Sequence, residues 1–218
     1  MDKIIIFGTG TTAELAKFYF ENDTDSEVVA FTVDRDYIFD QQFLGLPLVP
    51  WEEIVDYFSP NQYKLFNTVG YGQMNAIREL KYNEGKQKGY SYVNYISSGS
   101  TVLTKHIGEN NFIMEGNIIQ PFVRIGNNNI MFFSNGIGHH SVIGNHCSIT
   151  SHVAVSGNVI IKDNCFIGSN STIRNHITLG YKSLIGAASW ISEDTEDYGV
   201  YVPPKAKKIN KLSVDIKL

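Results

Sequence analysis

Residues 137–173 read IGHHSVIGNHCSITSHVAVSGNVIIKDNCFIGSNSTI, and an aliphatic side chain returns at every sixth place: Ile137, Ile143, Ile149, Val155, Ile161, Ile167 and Ile173. The same clock runs back through Met131, Ile125, Ile119 and Ile113 to Ile107, and forward through Leu179 and Ile185 to Ile191, fifteen positions in all. An amphipathic helix repeats every 3.6 residues and an ordinary strand every 2, so neither produces this period. The pattern predicts a β-solenoid of hexapeptide repeats over 101–192. Three hexapeptides close one coil, so the chain should make about five coils, with residue i stacked on i+18 at a strand spacing of about 4.8 Å.

The clock also assigns the other side chains. Two places before each aliphatic lies a second inward position, held by Asn129, Asn135, Ser141, Cys147, Val153, Val159, Cys165, Ser171, Ser183 and Ser189, mostly small as a narrow interior demands. Three places after the aliphatic come Asn128, His140, His146, His152, Asn158, Asn164, Asn170 and His176. Asn and His accept left-handed backbone angles more readily than most residues, so this column is expected at the corners of the coils.

Residues 1–97 read differently. Ile4 to Phe7, Val28 to Val33, Leu65 to Val69 and Tyr90 to Tyr95 form apolar runs, separated by helical patterns that include Leu15, Phe18 and Tyr19 on one face, 51–58, and 73–88. The alternation β-α-β-α-β-α-β predicts a Rossmann-like α/β domain on a parallel sheet. Ser97-Ser98-Gly99-Ser100 is the expected linker. The tail, 193–218, leaves the clock and carries Pro203-Pro204 and several lysines, and is expected to cap the open solenoid edge.

Charged residues make up 18% of the chain and the net charge is -4, which leaves no basic footprint for nucleic acid. No apolar run reaches membrane-spanning length, the start MDKIIIFGTG lacks the form of a signal peptide, and a cytoplasmic location is expected.

Five histidines fall in or beside the repeats, and the corner column accounts for four of them as turn residues, which argues against a metal cluster. His139 stands one place earlier, outside that column. Its neighbour one coil on is Gly157. A neutral imidazole is a general base near pH 7, and a glycine beside it lets a substrate approach a backbone N–H able to stabilise an oxyanion. This pair suits acyl transfer to an amine or hydroxyl. Cys147 and Cys165 point inward and stack, which favours buried apolar packing over a nucleophile or disulfide. Gly8-Thr9-Gly10-Thr11-Thr12-Ala13 follows a strand and opens a helix, as GxGxxA phosphate-binding turns do, and Asp34 closes the next strand where a ribose-binding acid would lie. So short a domain fits a mononucleotide or nucleotide sugar better than a dinucleotide.

With these residues in hand, the chain resembles the bacterial hexapeptide-repeat sugar acyltransferases, a family that includes nucleotide-amino-sugar N-acetyltransferases and sialic acid O-acetyltransferases. The resemblance is carried by Gly138-His139-His140-Ser141-Val142-Ile143-Gly144, Ser156-Gly157-Asn158-Val159 and Asn164-Cys165-Phe166-Ile167-Gly168 together with the Gly8 loop. It implies a left-handed parallel β-helix, a homotrimer with active sites between subunits, and acetyl-CoA as cosubstrate lying along the helix, with no metal. It implies His139 as base and Gly157 N–H as oxyanion donor. Ser148, Ser169 and Ala187 match positions that line the acetyl-CoA channel, and Gly10, Thr11, Thr12, Asp34, Arg35 and Gly70 match the nucleotide-sugar pocket. The family commonly has Asp or Glu after the catalytic histidine, where this chain has His140, a candidate to support the base.

The expected reaction is N-acetylation of a UDP-, dTDP- or GDP-linked 4-amino-6-deoxysugar for surface glycan synthesis. O-acetylation of a sialic acid or another sugar is the nearest alternative. A metal-dependent carbonic anhydrase and a non-catalytic nucleotide-sugar scaffold are readings of other classes.

Overall fold

The computed structural model describes residues 2–208, 210 and 212–216; of the expected 193–218 tail, residues 209, 211, 217 and 218 lie outside the described residues. The chain opens with β1 (Lys3–Phe7), α1 (Thr11–Asp23), β2 (Glu27–Val33), β3 (Gln42–Phe43), β4 (Leu46–Pro50), a 3-10 turn running into α2 (Ile54–Tyr57), β5 (Lys64–Asn67) and α3 (Ala76–Gln87). The sheet order is β3-β4-β2-β1-β5, parallel except for β3. The apolar run of β1 is the mark of a strand covered on both faces. Ile4 and Ile6 meet Phe20, Phe31 and Phe66 on one side, while Ile5 and Phe7 meet Trp51, Ile54 and Leu65 on the other.

Two expectations about this domain are corrected, and one unexpected strand is added. Helix α1 buries Ala13, Ala16 and Phe20 and leaves Leu15 and Phe18 exposed, because two alanines let the helix lie close on the sheet. Only Tyr19 of the expected face packs, against Tyr95 and Phe112. The strand expected over Tyr90 to Tyr95 reduces to a single bridge between Leu65 and Tyr92. In its place β4 joins the sheet, a strand that two prolines conceal from a pattern reading.

The remainder is a parallel β-helix of triangular section. Its strands are two residues long and pair with a shift of one coil, as Ile137 with Val155 and Val155 with Ile173. They stack into sheets of seven, six and four strands. Every member of the aliphatic clock from Ile113 to Ile191 is buried in one continuous core, and Ile107 packs against it. All the second inward positions are buried too.

The corner column holds: Asn128, His140, His146, His152, Asn158, Asn164, Asn170 and His176 all have φ between 59° and 61°. The solenoid begins earlier than expected, since Tyr95–Ile96 already pairs with Phe112–Ile113, and Ser97 to Ser100 form a corner of the first coil rather than a linker. At the other end Val200–Tyr201 adds a strand to Leu184–Ile185 and extends one sheet over the last full coil.

The three faces have different fates. On the docked face, the outward residues Phe112 and Ile130 enter the core of the α/β domain. The second face presents Ile118, Gly136, Ala154, Thr172 and Trp190, and the third presents Arg124, Val142, Ile160 and Thr178. The first corner, Asn110, Asn128, His146 and Asn164, meets the α/β domain. The second holds Ser134, His152, Asn170 and Ala188, and the third holds Phe122, His140, Asn158 and His176. The third corner lies between the second and third faces, on the side of the triangle away from the docked face.

Candidate active site

His139 lies just before the third corner, with its backbone held from both neighbouring coils. Its amide donates to Gln120 Oε1 (2.9 Å) and its carbonyl accepts from the Asn158 amide (2.9 Å). The imidazole lies over Gly157: a Cβ built on that glycine would stand 2.8 Å from Cε1 and 2.9 Å from Nε2 of His139. The absent side chain is therefore what makes room for the ring.

The Gly157 amide is the second element. At the corresponding place before the first corner, the amides of Glu109, Asn127 and Asn145 each donate to the side-chain oxygen of the residue one coil on, at 2.9, 2.9 and 2.7 Å. Asn175 stands one coil on from Gly157, yet the Gly157 amide has no acceptor among the described residues. A donor left free beside an imidazole nitrogen can stabilise a developing oxyanion.

The ring's other nitrogen is engaged. His139 Nδ1 and His140 Nδ1 are 3.0 Å apart, so one donates and the other accepts. Both side chains are exposed, and His139 lines an open groove of about 550 Å3 together with Ile118, Gln120, Gly136, Ala154 and Ser156. Gly136 and Ala154 form its floor because neither carries bulk. The same face is bordered at the second corner by Ser169, whose hydroxyl donates to Thr150 Oγ1 (3.0 Å), and by the exposed Ala187 one coil on. Four of the expected channel and catalytic residues, His139, Gly157, Ser169 and Ala187, thus edge one face.

Ser148 does not join them, and its expected place in an acetyl-CoA channel is corrected. It lies on the docked face, fully buried, where it donates to Asn75 Oδ1 (2.7 Å) and accepts from Arg78 Nη2 (3.1 Å). The two partners expose what pattern reading missed. Arg78 is wholly buried, and among the described residues no carboxylate pairs with it. Its guanidinium donates to the carbonyl oxygens of Asn128, Val69, Gly70, His146 and Cys147 as well as to Ser148. Burial lowers its pKa to about 10, which leaves it charged at neutral pH. Asn75 caps α3 with φ 64° and donates to the carbonyls of Asn164 and Cys165. The signal was present in α3, where Arg78, Tyr82 and Gly85 share the buried stripe while Ile77 and Leu80 face out.

The cysteines are free and buried. Burial pushes the Cys147 thiol well above its ordinary pKa, and its Sγ donates to Lys162 O (3.2 Å). Among the described residues no group of three or more His, Cys, Asp or Glu is placed to hold a metal ion.

The second candidate site lies at the carboxyl ends of β1 and β5, the switch point of the sheet, where α/β domains bind ligands. Gly8 has φ 125°, and a Cβ there would stand 2.5 Å from Thr68 Oγ1, so glycine is required to bring the two loops together. Gly10 caps α1 with open space around its Cα, and the amides of Thr11 and Thr12 have no acceptor among the described residues. These free donors at a 13-residue helix suit a phosphate. Gly70 lies in the loop after β5, its carbonyl held by Arg78 Nη1 (3.0 Å). Asp34 is partly committed, with Oδ1 2.5 Å from Lys81 Nζ, and Arg35 turns its guanidinium to Glu53.

Residues 140–175 match the family model described as Bacterial transferase hexapeptide (six repeats). No curated protein matches the sequence. Among solved structures, the chain is similar to PerB from Caulobacter crescentus in complex with CoA and GDP-perosamine, with 21% identity, TM-score 0.80 and coverage of 93% of this chain and 95% of that one. It is similar also to the acetyltransferase domain of PglB from Neisseria gonorrhoeae FA1090 (19% identity, TM-score 0.79, 96% and 100% covered) and to WeeI from Acinetobacter baumannii AYE (16%, 0.70, 93% and 97%). The likeness establishes the fold: an α/β domain followed by a left-handed parallel β-helix of hexapeptide repeats.

Proposed function

We propose that the protein is an acetyl-CoA-dependent N-acetyltransferase acting on a nucleotide-linked amino-sugar. The observation that carries this reading is the exposed imidazole of His139 lying over Gly157, whose amide is left without an acceptor beside an open groove. The free amides at the start of α1 support a nucleotide diphosphate as the handle of the acceptor. That similar folds hold CoA and GDP-perosamine, or acetyl coenzyme A, supports the choice of substrates.

In the proposed reaction the sugar amine attacks the thioester carbonyl. His139 Nε2 takes the proton from the nitrogen, and the Gly157 N–H donates to the carbonyl oxygen as it becomes negative. The carbon–sulfur bond breaks and the sulfur receives the proton from His139. No covalent enzyme intermediate is required. Ser169 and Ala187 border the path of the CoA arm. Gly10, Thr11, Thr12 and Gly70 surround the nucleotide, with Asp34 and Arg35 at its far side.

The triangle adds a requirement. The α/β domain sits on the docked face and first corner, whereas His139 lies at the opposite corner. One chain's nucleotide site therefore does not serve its own His139, and we propose a homotrimer in which each active site is completed by a neighbour. Exposed Ile118, Val142, Ile160 and Phe122 on the uncovered faces and third corner provide apolar surface for that contact. Both substrates are cytoplasmic metabolites, and we place the reaction there; no helix among the described residues is long and apolar enough to cross a membrane.

The test is acetyl-CoA turnover by the purified protein against UDP-, dTDP- and GDP-linked amino-sugars and their hydroxyl counterparts. Turnover with one amino-sugar, lost in His139→Ala, is expected. Turnover with a hydroxyl acceptor alone would replace N- by O-acetylation, and turnover retained in His139→Ala would remove the assigned base.

A further inference from the structure

We infer that His140 is a positioning residue for the base: it accepts a hydrogen bond from His139 Nδ1–H and so keeps the Nε2 lone pair of His139 facing the groove. The inference rests on the proposed acyl transfer and goes beyond it by giving the corner histidine a role.

Three observations hold His140 for this task. Its Nδ1 is 3.0 Å from His139 Nδ1. Its ring lies on Phe122, with centroids 4.6 Å apart and planes at 34°. Its backbone is fixed at φ 60°, with the amide donating to Pro121 O (3.3 Å). Backbone and ring contacts thus both hold His140 at the place from which its Nδ1 reaches His139.

A neutral imidazole carries one proton on two nitrogens. If His139 holds its proton on Nδ1, then Nε2 is free to accept from the amine; if it holds the proton on Nε2, it cannot act as base. An acceptor at Nδ1 selects the competent form, as a carboxylate does in catalytic triads. His140 does this without a charge. When His139 takes the amine proton it becomes an imidazolium, and its Nδ1–H bond to His140 becomes charge-assisted. The proton then leaves Nε2 for the thiolate sulfur, both histidines return to their starting form, and no outside proton is consumed. Among the described residues of one chain, the pair's hydrogen-bond, ring and glycine contacts come from Gln120, Pro121 and Phe122 on the preceding coil and Gly157 and Asn158 on the following one, all uncharged.

The test uses His140→Gly and His140→Asp. Both residues tolerate a positive φ, so neither variant strains the corner. Glycine removes the acceptor, and kcat should fall by about 10- to 100-fold with KM for both substrates within about twofold. Aspartate restores an acceptor, now charged. It should recover most of the rate and move the acid limb of the kcat profile to higher pH, because a carboxylate favours the imidazolium. Histidine-selective 15N spectra supply a readout that needs no turnover. His139 should be protonated at Nδ1 in wild type and revert toward Nε2 in His140→Gly. An unchanged tautomer, or an unchanged kcat and pH profile in His140→Gly, overturns the inference. Activity that survives His139→Ala overturns the acyl-transfer reading instead, so the two failures are distinguishable.

Discussion

Nη2 of Arg78 lies 2.8 Å from the carbonyl oxygen of His146, and this bond is one of four by which a single buried guanidinium ties α3 to successive coils of the solenoid, while two more hold the loop after β5. Among the described residues no carboxylate offsets the charge, and five carbonyl dipoles and a hydroxyl take the place of water. Arg78→Met keeps the volume and removes every donor, leaving those acceptors buried and unpaired. The loss should be at least about 3 kcal/mol, read as a lowered urea midpoint. A midpoint within error of wild type would mean that the domains are held by their apolar contacts alone.

The glycines near His139 should separate activity from folding. In Gly157→Ala the amide donor remains, but the new methyl meets the rim of an exposed imidazole, which must swing away from it, so the protein should fold normally while the misplaced base costs about 100-fold in activity. In Gly138→Ala the methyl would stand 2.5 Å from the Gly157 nitrogen and the Ser156 carbonyl carbon, both backbone atoms that cannot move without opening the coil. That variant should lose thermal stability as well. Circular dichroism melts of the two proteins, run beside turnover, check the contrast.

Gly10 offers a different separation. Its φ of -92° suits any residue, and nothing stands within 4 Å of a Cβ built there. Gly10→Ala should therefore leave the melting temperature unchanged, while the methyl occupies the space before the free amides of α1. KM for the nucleotide sugar should rise with KM for acetyl-CoA constant. An equal rise in both would place the nucleotide elsewhere.

Acid should loosen the docked corner. His146 is buried beside Tyr82, 3.9 Å from Glu79 Oε1, and burial lowers its pKa below the ordinary 6.5 despite that carboxylate. The unfolded chain then binds the proton more readily than the native one. The stability that His146 contributes is complete above 6.5 and falls away as the pH drops toward its lower native value. Asp23 acts with the same sign in a lower window. Hydrogen bonds from Ser98 and Tyr95 depress its carboxyl below 3.8, and this stability goes only as the native carboxylate is protonated. Melting temperatures of wild type and His146→Asn between pH 7.5 and 5 should converge as the pH falls; parallel curves would refute the assignment.

What could be read from the chain follows from how its parts are specified. The solenoid is written as a strict period, so Ile113 to Ile191, the small inward residues and the left-handed corners were all legible, and with them the separation of His139 from the corner histidines. The α/β domain is written by long-range packing, where Ala13 and Ala16 rather than Leu15 and Phe18 decide which side of α1 faces in. Ser148 shows the limit within the periodic part. The period gives its outward direction, but not that another domain covers that face. Arg78 was hidden for the converse reason, since a charged residue on a helical pattern reads as solvated until its carbonyl partners, as distant as His146 and Cys147, are brought to it.

The three corners are built by one rule and differ in what they meet: one is bonded to the α/β domain, and in the proposed reaction one edges the CoA path and one carries the base. Gain or loss of whole coils would slide these sites along the axis while each stayed on its own edge. Gain or loss of a single hexapeptide would leave the core pattern intact, yet turn everything beyond it by about a third of a revolution, bringing His139 round to a different edge. Length variation in such a chain is therefore restricted to multiples of 18 residues between the docking corner and the catalytic one, a constraint set by rotation rather than by stability.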